Sequence, residues 1–213
     1  MGKGIKLDTN LTVTADSLKG KFVYAKPNFA YTDNTLFASV ESSSSDFLAD
    51  YGYKNSKVGF SVSTAFEQYD NLYFRPEISI ESETLETNST ASTNLRAQDG
   101  SYLDTYFNYS LDYDLRNQPY RPSDGYRTVF NQELPIASST YEIVNSIEYS
   151  KYQQLIGDMI GRFSIFSKAV NTVSGKDVRV SKRAYIPASR LRGFEPGKVG
   201  PIDNNDYIGG NYV

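Results

Sequence analysis

Cysteine, histidine and tryptophan are all missing from this chain of 213 residues. Without cysteine there is no disulfide framework and no thiolate zinc site. Without histidine, Ser-His-Asp and Cys-His catalysis are excluded, together with most transition-metal sites. The formal net charge of -3 is small and of the wrong sign for a nucleic-acid partner. No apolar stretch follows the opening "MGKGIKLDTN", so no signal peptide is read there. No run approaches the ~20 apolar residues of a transmembrane helix. A β-strand crosses a bilayer with only ~10 alternating residues, so these absences leave a membrane barrel untouched.

What the chain has is aromatic residues and alternation. It carries 18 Tyr and 12 Phe. Helical periodicity is nearly absent and period-2 alternation is widespread. "IKLDTNLTVTAD" sets Ile5, Leu7, Leu11 and Val13 against Lys6, Asp8, Asn10 and Thr12. "KVGFSVSTAFEQ" sets Val58, Phe60, Val62 and Phe66 against Lys57, Ser61, Ser63 and Glu67. "LYFRPEISIE" and "LDTYFNYSLDYDL" repeat the pattern, with Glu77, Glu81, Asp104, Asp112 and Asp114 on their polar faces.

These patterns predict nine strands, over 4–16, 20–28, 35–45, 56–68, 72–86, 101–115, 125–135, 140–153 and 157–170, with a tenth beginning near Tyr207. "SLKG", "PNFAYTDN", "QYDN" and "PYRPSDG" are turn-like, and Gly125 of "PSDGYR" suits a left-handed tight turn. "SSSSDFLADYGYKN" and "TNSTASTNLRAQDG" are longer polar connections, and a still longer one runs over 174–206. Long connections at every second position fit an up-and-down barrel with short turns at one end.

A soluble β-sandwich or a lipocalin-like barrel also alternates. Three features favour the membrane. The strands run to roughly 10–15 residues, against a usual mode of ~5–6. Tyr31, Tyr51, Tyr53, Tyr69, Tyr73, Tyr120 and Tyr126 sit near strand ends, where interfacial girdles lie. The polar face is heavily charged, as a wet lumen is. The expected fold is therefore all-β, an antiparallel up-and-down transmembrane barrel. The chain opens at a strand start and closes as another begins, which would leave two bare edges that lipid does not tolerate. It is expected to be part of a larger barrel.

Candidate chemistry is sparse. "GFEPGKV", Gly193 to Val199, spaces its glycines one residue too closely for a phosphate loop and has Val199 in place of the hydroxyl. "DNNDYIGG" resembles a calcium loop but has Ile208 where glycine is required. Asp112 and Asp114 read as a polar stripe facing the lumen rather than as an acid–base pair. The sequons at Asn10, Asn88 and Asn108 matter only in a secreted eukaryotic chain. Lys182, Arg183, Arg190, Arg192 and Lys198 make the last loop basic. Arg192, flanked by Leu191 and Gly193-Phe194, has the rigid donor fork that would fasten a long loop to a carboxylate.

"LRGF" (Leu191, Arg192, Gly193, Phe194), "VGP" (Val199, Gly200, Pro201) and "GGN" (Gly209, Gly210, Asn211) together resemble the signature of the Omp85 superfamily, the bacterial surface antigen D15-type barrels. "GKGIKL", "PNFAYTD" and "LDYDLRNQPYRPSDGYRTVF" also align in order. The resemblance covers essentially the whole chain, and Leu191 is a mild departure from the usual [VI]RGF. It implies an incomplete segment of a sixteen-stranded barrel, the third to the eleventh strand, with the motif on the sixth extracellular loop. It implies that the loop folds back into the barrel, anchored by Leu191, Arg192, Gly193 and Phe194 and supported by the VGP and GGN residues. The implied activity is insertion and assembly of β-barrel proteins in the bacterial outer membrane, with no enzymatic step, no cofactor and no metal. The implied partners are outer-membrane lipid, unfolded β-barrel clients and periplasmic accessory lipoproteins reached through POTRA domains, which this chain does not carry; no nucleic acid is expected. TamA-like insertases, two-partner secretion transporters and, outside the family, a diffusion porin are the alternatives.

Overall fold

The computed structural model describes residues 4–49, 51–187, 189–195 and 197–213. Gly2 and Lys3 of "GKGIKL" and Pro196 of "GFEPGKV" lie outside the described residues. The strands are β1 (Lys6–Val13), β2 (Ser17–Lys26), β3 (Thr35–Phe47), β4 (Tyr53–Tyr69), β5 (Leu72–Thr87), β6 (Gly100–Asp114), β7 (Gly125–Ala137), β8 (Glu142–Gln154) and β9 (Ile160–Thr172). They form one nine-stranded antiparallel sheet in chain order, each paired with the next. All nine expected strands are there.

Their boundaries show where local preference loses to pairing. "SSSSDFLADYGYKN" was expected as a connection, but only residues 48–52 connect β3 to β4. Ser42 to Ser45 are strand residues because they are paired on both sides, with Ser17 to Gly20 and with Asn55 to Val58. Serine's weak strand preference is overridden when both backbone edges are satisfied. "SLKG", expected as a turn, is likewise the start of β2, and the turn lies at 14–16. "PSDGYR" is no tight turn but the end of a connection over 115–124. One end of the sheet carries the connections 14–16, 48–52, 88–99 and 138–141 and the final long loop; the other carries 27–34, 70–71, 115–124 and 155–159. Lengths therefore do not alternate as expected, until the last loop.

Gly125 has φ +94, as expected of a left-handed position. A Cβ there would lie 2.1 Å from the Leu115 carbonyl oxygen. Gly125→Ala therefore meets a clash and a conformational cost of about 1–2 kcal/mol. Its heat-denaturation midpoint in the intact protein should fall well below that of Gly175→Ala, where φ is +73 but nothing lies within 4 Å.

The two faces are the reverse of a soluble sheet. Phe22, Val40, Phe60 and Ile80 form one row across β2 to β5. They are 45%, 49%, 49% and 46% exposed, with no protein layer over them. Leu7, Leu11, Val58, Ile78, Ile147, Phe163 and Ile165 extend this bare apolar face. A band of that kind faces lipid. Near the 115–124 end the rings of Tyr113, Tyr126 and Tyr149 follow one another at 6.0 and 5.9 Å, with exposed Tyr69 beyond them; Tyr73, also expected in a girdle, pairs with Glu67 and Asp112 on the polar face. Two of the expected girdle residues instead pack under the loop. Tyr53 is buried with Leu85, Ala91, Leu95 and Val180, and Tyr51 packs against that cluster. Leu95 belongs to a single helical turn, α1 (Thr93–Arg96), whose first turn is capped by the Ser92 hydroxyl.

The tenth strand starts later than expected. Tyr207 belongs to a small hairpin, β10 (Ile202–Asp203) against β11 (Asp206–Tyr207), turned by Asn204 and Asn205 at positive φ. The segment beside β9 begins at Asn211, whose carbonyl accepts from the Val170 N–H at 2.8 Å. Lys168 and Val213 then exchange backbone hydrogen bonds at 2.8 and 2.9 Å.

Candidate functional site

The inner face carries a wall of carboxylates: Glu77, Glu81 and Glu83 on β5, Asp104 on β6, Glu133 on β7, and Glu142 and Glu148 on β8. Glu81 and Asp104 are direct cross-strand partners, and Glu81 faces Gly59 on its other side. Like charges this close repel unless a cation lies between them. Lys57 of β4 meets Glu81 at 3.1 Å and Arg162 of β9 approaches Glu148 at 4.0 Å; the other cations come from the long loop after β9, which lies over this wall.

Arg179 enters deepest and is 1% exposed. Its Nη1 donates to Glu83 Oε2 at 3.1 Å, and its Nη2 meets Asp104 Oδ2 at 2.5 Å and Glu142 Oε2 at 3.4 Å. Its backbone N–H donates to Glu142 Oε1 at 3.2 Å. The guanidinium also lies over the Tyr102 ring, 4.2 Å from its centroid. Burial by itself would pull the guanidinium's pKa down; Asp104, Glu142 and Glu83 outweigh it and hold the charge firmly on.

A turn of 3-10 helix, Val180–Lys182, places the next side chains on the same wall. The Ser181 hydroxyl donates to Glu83 Oε2 at 3.0 Å. Lys182 Nζ reaches Glu81 at 3.1 Å and Glu133 at 3.9 Å, over the Tyr106 ring. Burial opposes its charge as well, and Glu133 and Glu81 restore it, raising its pKa. Val178 and Val180, both buried, flank Arg179 and drive that short segment against the wall. Further along, Arg190 Nη2 pairs with Glu148 at 2.8 Å and stacks over the Phe166 ring at 4.6 Å. Tyr185 packs edge-on against Tyr51, and burial pushes its hydroxyl up to about 12.

The motif residues sit differently. Leu191 is half-buried, while Arg192 and Gly193 are exposed and Phe194 is 60% exposed. Gly193 takes φ +87. Among the described residues, those that seat the loop on the wall are Arg179, Lys182 and Arg190 rather than Arg192 or Phe194. Of the supporting residues, Gly209 is buried, Val199, Gly210 and Asn211 are half-buried, and Gly200 and Pro201 are exposed. Half-buried Val199 and exposed Gly200 lead to Pro201, whose carbonyl accepts from Ile208 N–H at 3.2 Å. Gly209 is so close to Tyr185 that a Cβ would come within 2.7 Å of its ring. Gly210 exchanges backbone bonds with Ala184 at 2.7 and 2.9 Å, and Asn211 joins β9. VGP and GGN thus close the loop on itself and return it to the sheet.

Asp112 and Asp114 face the lumen and are engaged by arginines. Arg127 forks onto Asp112 at 2.8 and 2.5 Å, and Arg116 onto Asp114 at 2.8 and 2.6 Å. Arg179 was not singled out in the sequence, and Lys182 only as one of a basic cluster. The available signal was the surplus of acid on β5, β6 and β8 and the apolar–basic alternation of "VRVSK".

A family model described as the Omp85 superfamily domain matches residues 1–213. Among curated proteins, the sorting and assembly machinery component 50 homolog of Homo sapiens is 29% identical over 125 residues, which is 57% of this chain and 26% of that protein. Homolog A of Xenopus laevis is 27% identical over 125 residues, with the same coverage of 57% and 26%. The chain thus spans about a quarter of the length of these relatives. Among solved structures, the crystal structure of BamA from Haemophilus ducreyi lacking POTRA domains 1-3 superposes with a TM-score of 0.85 at 19% identity, over 99% of this chain and 46% of that one. The open nine-stranded sheet is accordingly the fold of part of a barrel.

Proposed function

Because the chain belongs to the Omp85 superfamily, we propose that the intact protein inserts and assembles β-barrel proteins in an outer membrane, as a BamA-like factor of a bacterial cell. The observation that carries this reading is the long loop. It is clamped to the inner wall by Arg179, Lys182 and Arg190, while Arg192 and Phe194 project from it. A clamped stem with a projecting tip is built to present the tip to another part of the same lumen. In this reading Arg192 meets acceptors on the barrel wall beyond the strands of this chain, and Phe194 packs beside it.

The activity is mechanical. A client strand adds to a sheet edge at the barrel seam, and the backbone hydrogen bonds formed there replace those that lipid does not offer. The loop stiffens the barrel so that opening is confined to the seam. Unfolded β-barrel clients and membrane lipid are the partners, with accessory lipoproteins docking on periplasmic domains of the intact protein.

Arg192→Ala in the intact protein should slow client assembly in reconstituted vesicles and lower the heat-denaturation midpoint of the barrel. Client assembly at the parent rate with an unshifted midpoint would remove Arg192 from this role. Stable channels of uniform conductance from the purified protein would instead identify a diffusion porin.

A further inference from the structure

Beside the acidic wall, the inner face of β2 to β4 has the opposite imbalance. Lys19 on β2 and Lys57 on β4 are the two cross-strand neighbours of Ser43 on β3. Lys21 lies two residues from Lys19 and so on the same face. Lys21 meets Glu41 at 3.1 Å, and Lys57 meets Glu81, which Lys182 of the loop also holds. Lys19 has no ion pair among the described residues. The loop does not correct this. Its Asp177 pairs with Arg183 and its Glu195 with Lys198, and among the described residues none of its carboxylates pairs with these three lysines.

The three lysines line a cavity of about 480 Å3. That is within the ~300–1,000 Å3 of small-molecule sites. Strand residues Ser43, Ser45 and Tyr53 form one side of it, and Ser181 and Tyr185 of the loop the other. Glu41 is the one carboxylate among its described lining residues. Ser45 is 6% exposed, yet its hydroxyl bonds to no described residue, and neither does that of Ser43. Other serines of the inner face are matched: Ser39 with Ser61 at 2.9 Å, and Ser150 with Ser164 at 3.0 Å. A buried hydroxyl left without a partner is costly, whichever way its proton turns. Ammonium groups only donate, so what completes this cavity must accept. Like charges gathered on one face also repel until an opposite charge lies among them.

We propose that this cavity binds a small organic anion of two or more charges. Its carboxylate or phosphate oxygens accept from Lys19, Lys21 and Lys57 and from the Ser43 and Ser45 hydroxyls. Its carbon body rests against Phe47 and Tyr185, which line the same cavity. Ser181 and Tyr185 complete the site only while the loop is seated, so the bound anion also stabilises the seated loop.

The test uses the purified intact protein in dodecyl maltoside, a neutral detergent, at low salt, with the polyanionic fluorophore pyranine as probe. Pyranine anisotropy should rise to saturation as protein is added. Citrate or pyrophosphate should reverse the rise, and the more effective of the two identifies the preferred anionic group. Lys19→Gln should weaken binding about threefold to fivefold, the effect of one ion pair. Ser45→Ala should weaken it too, and should leave the heat-denaturation midpoint of the ligand-free protein in place, since the hydroxyl bonds nothing there. Lys6→Gln removes the same charge from β1, where Lys6 pairs with Asp8 outside the cavity, and should bind as the parent does. The site is overturned by the absence of a saturable rise, by a rise that neither competitor reverses, or by parent-like binding in Lys19→Gln. Equal losses in Lys6→Gln and Lys19→Gln overturn it as well, because they reveal attraction to the charge of the lumen at large.

Discussion

Replacing Arg179 with alanine should give the largest loss of stability of any single change in the loop. The guanidinium is the cation between Glu83, Asp104 and Glu142, all as buried as it is. Removing one partner of a buried ionic group costs about 3–5 kcal/mol, because the remaining charges stay out of water without compensation. Here three carboxylates are left facing one another, so the wall itself repels the loop. The heat-denaturation midpoint of the intact protein should drop, and the segment after Thr172 should become open to protease from the loop end. Arg179→Lys should fail to restore the parent behaviour, since one ammonium does not reproduce a fork that spans three strands. Adding Glu142→Gln to Arg179→Ala should recover part of the loss by removing one of the uncompensated charges. Unchanged melting and protease resistance in Arg179→Ala would show that the loop is held elsewhere.

The second large effect concerns the outer row. Phe60 lies near the middle of β4, in the bare band formed with Phe22, Val40 and Ile80. Phe60→Arg should lower the folding free energy into vesicles by about 2–4 kcal/mol, the cost of a cation at the bilayer midplane. Ser61→Arg, one residue away, points into the lumen, where Ser61 donates to Glu77 at 3.1 Å. The new cation would find a carboxylate and water, and the change should be close to neutral. Urea titration of folding into vesicles compares the two. A sheet in water would tolerate arginine at Phe60, so equal costs at both positions would count against the lipid-facing assignment.

These two predictions rest on information of different range. That Phe60 faces out and Ser61 faces in was readable from the sequence, because side-chain direction in a strand alternates with a period of two residues. The same rule placed Glu81, Asp104 and Asp112 on the polar face and located all nine strands. It failed at "SLKG", read as a turn, where Leu18 to Gly20 are paired with β1 on one side and β3 on the other, since no local signal carries the backbone partners that keep such a stretch extended. It failed for Tyr53, whose place near a strand end suits a girdle until the loop packs over it.

The loop shows the division most clearly. The basic residues and the LRGF, VGP and GGN signatures were legible, and so was the family. Which cation seats the loop was not. Arg179 meets Glu83, Asp104 and Glu142 across sequence separations of 96, 75 and 37 residues. The sequence by itself determined the chemistry that is excluded, the strands, and which side of the sheet each side chain occupies, because these follow from composition and from a two-residue period. Only the tertiary structure decided that Arg179 and Lys182 carry the loop while Arg192 and Phe194 project from it. Curvature and register bring three distant carboxylates to one point, and a buried charge goes where its partners converge.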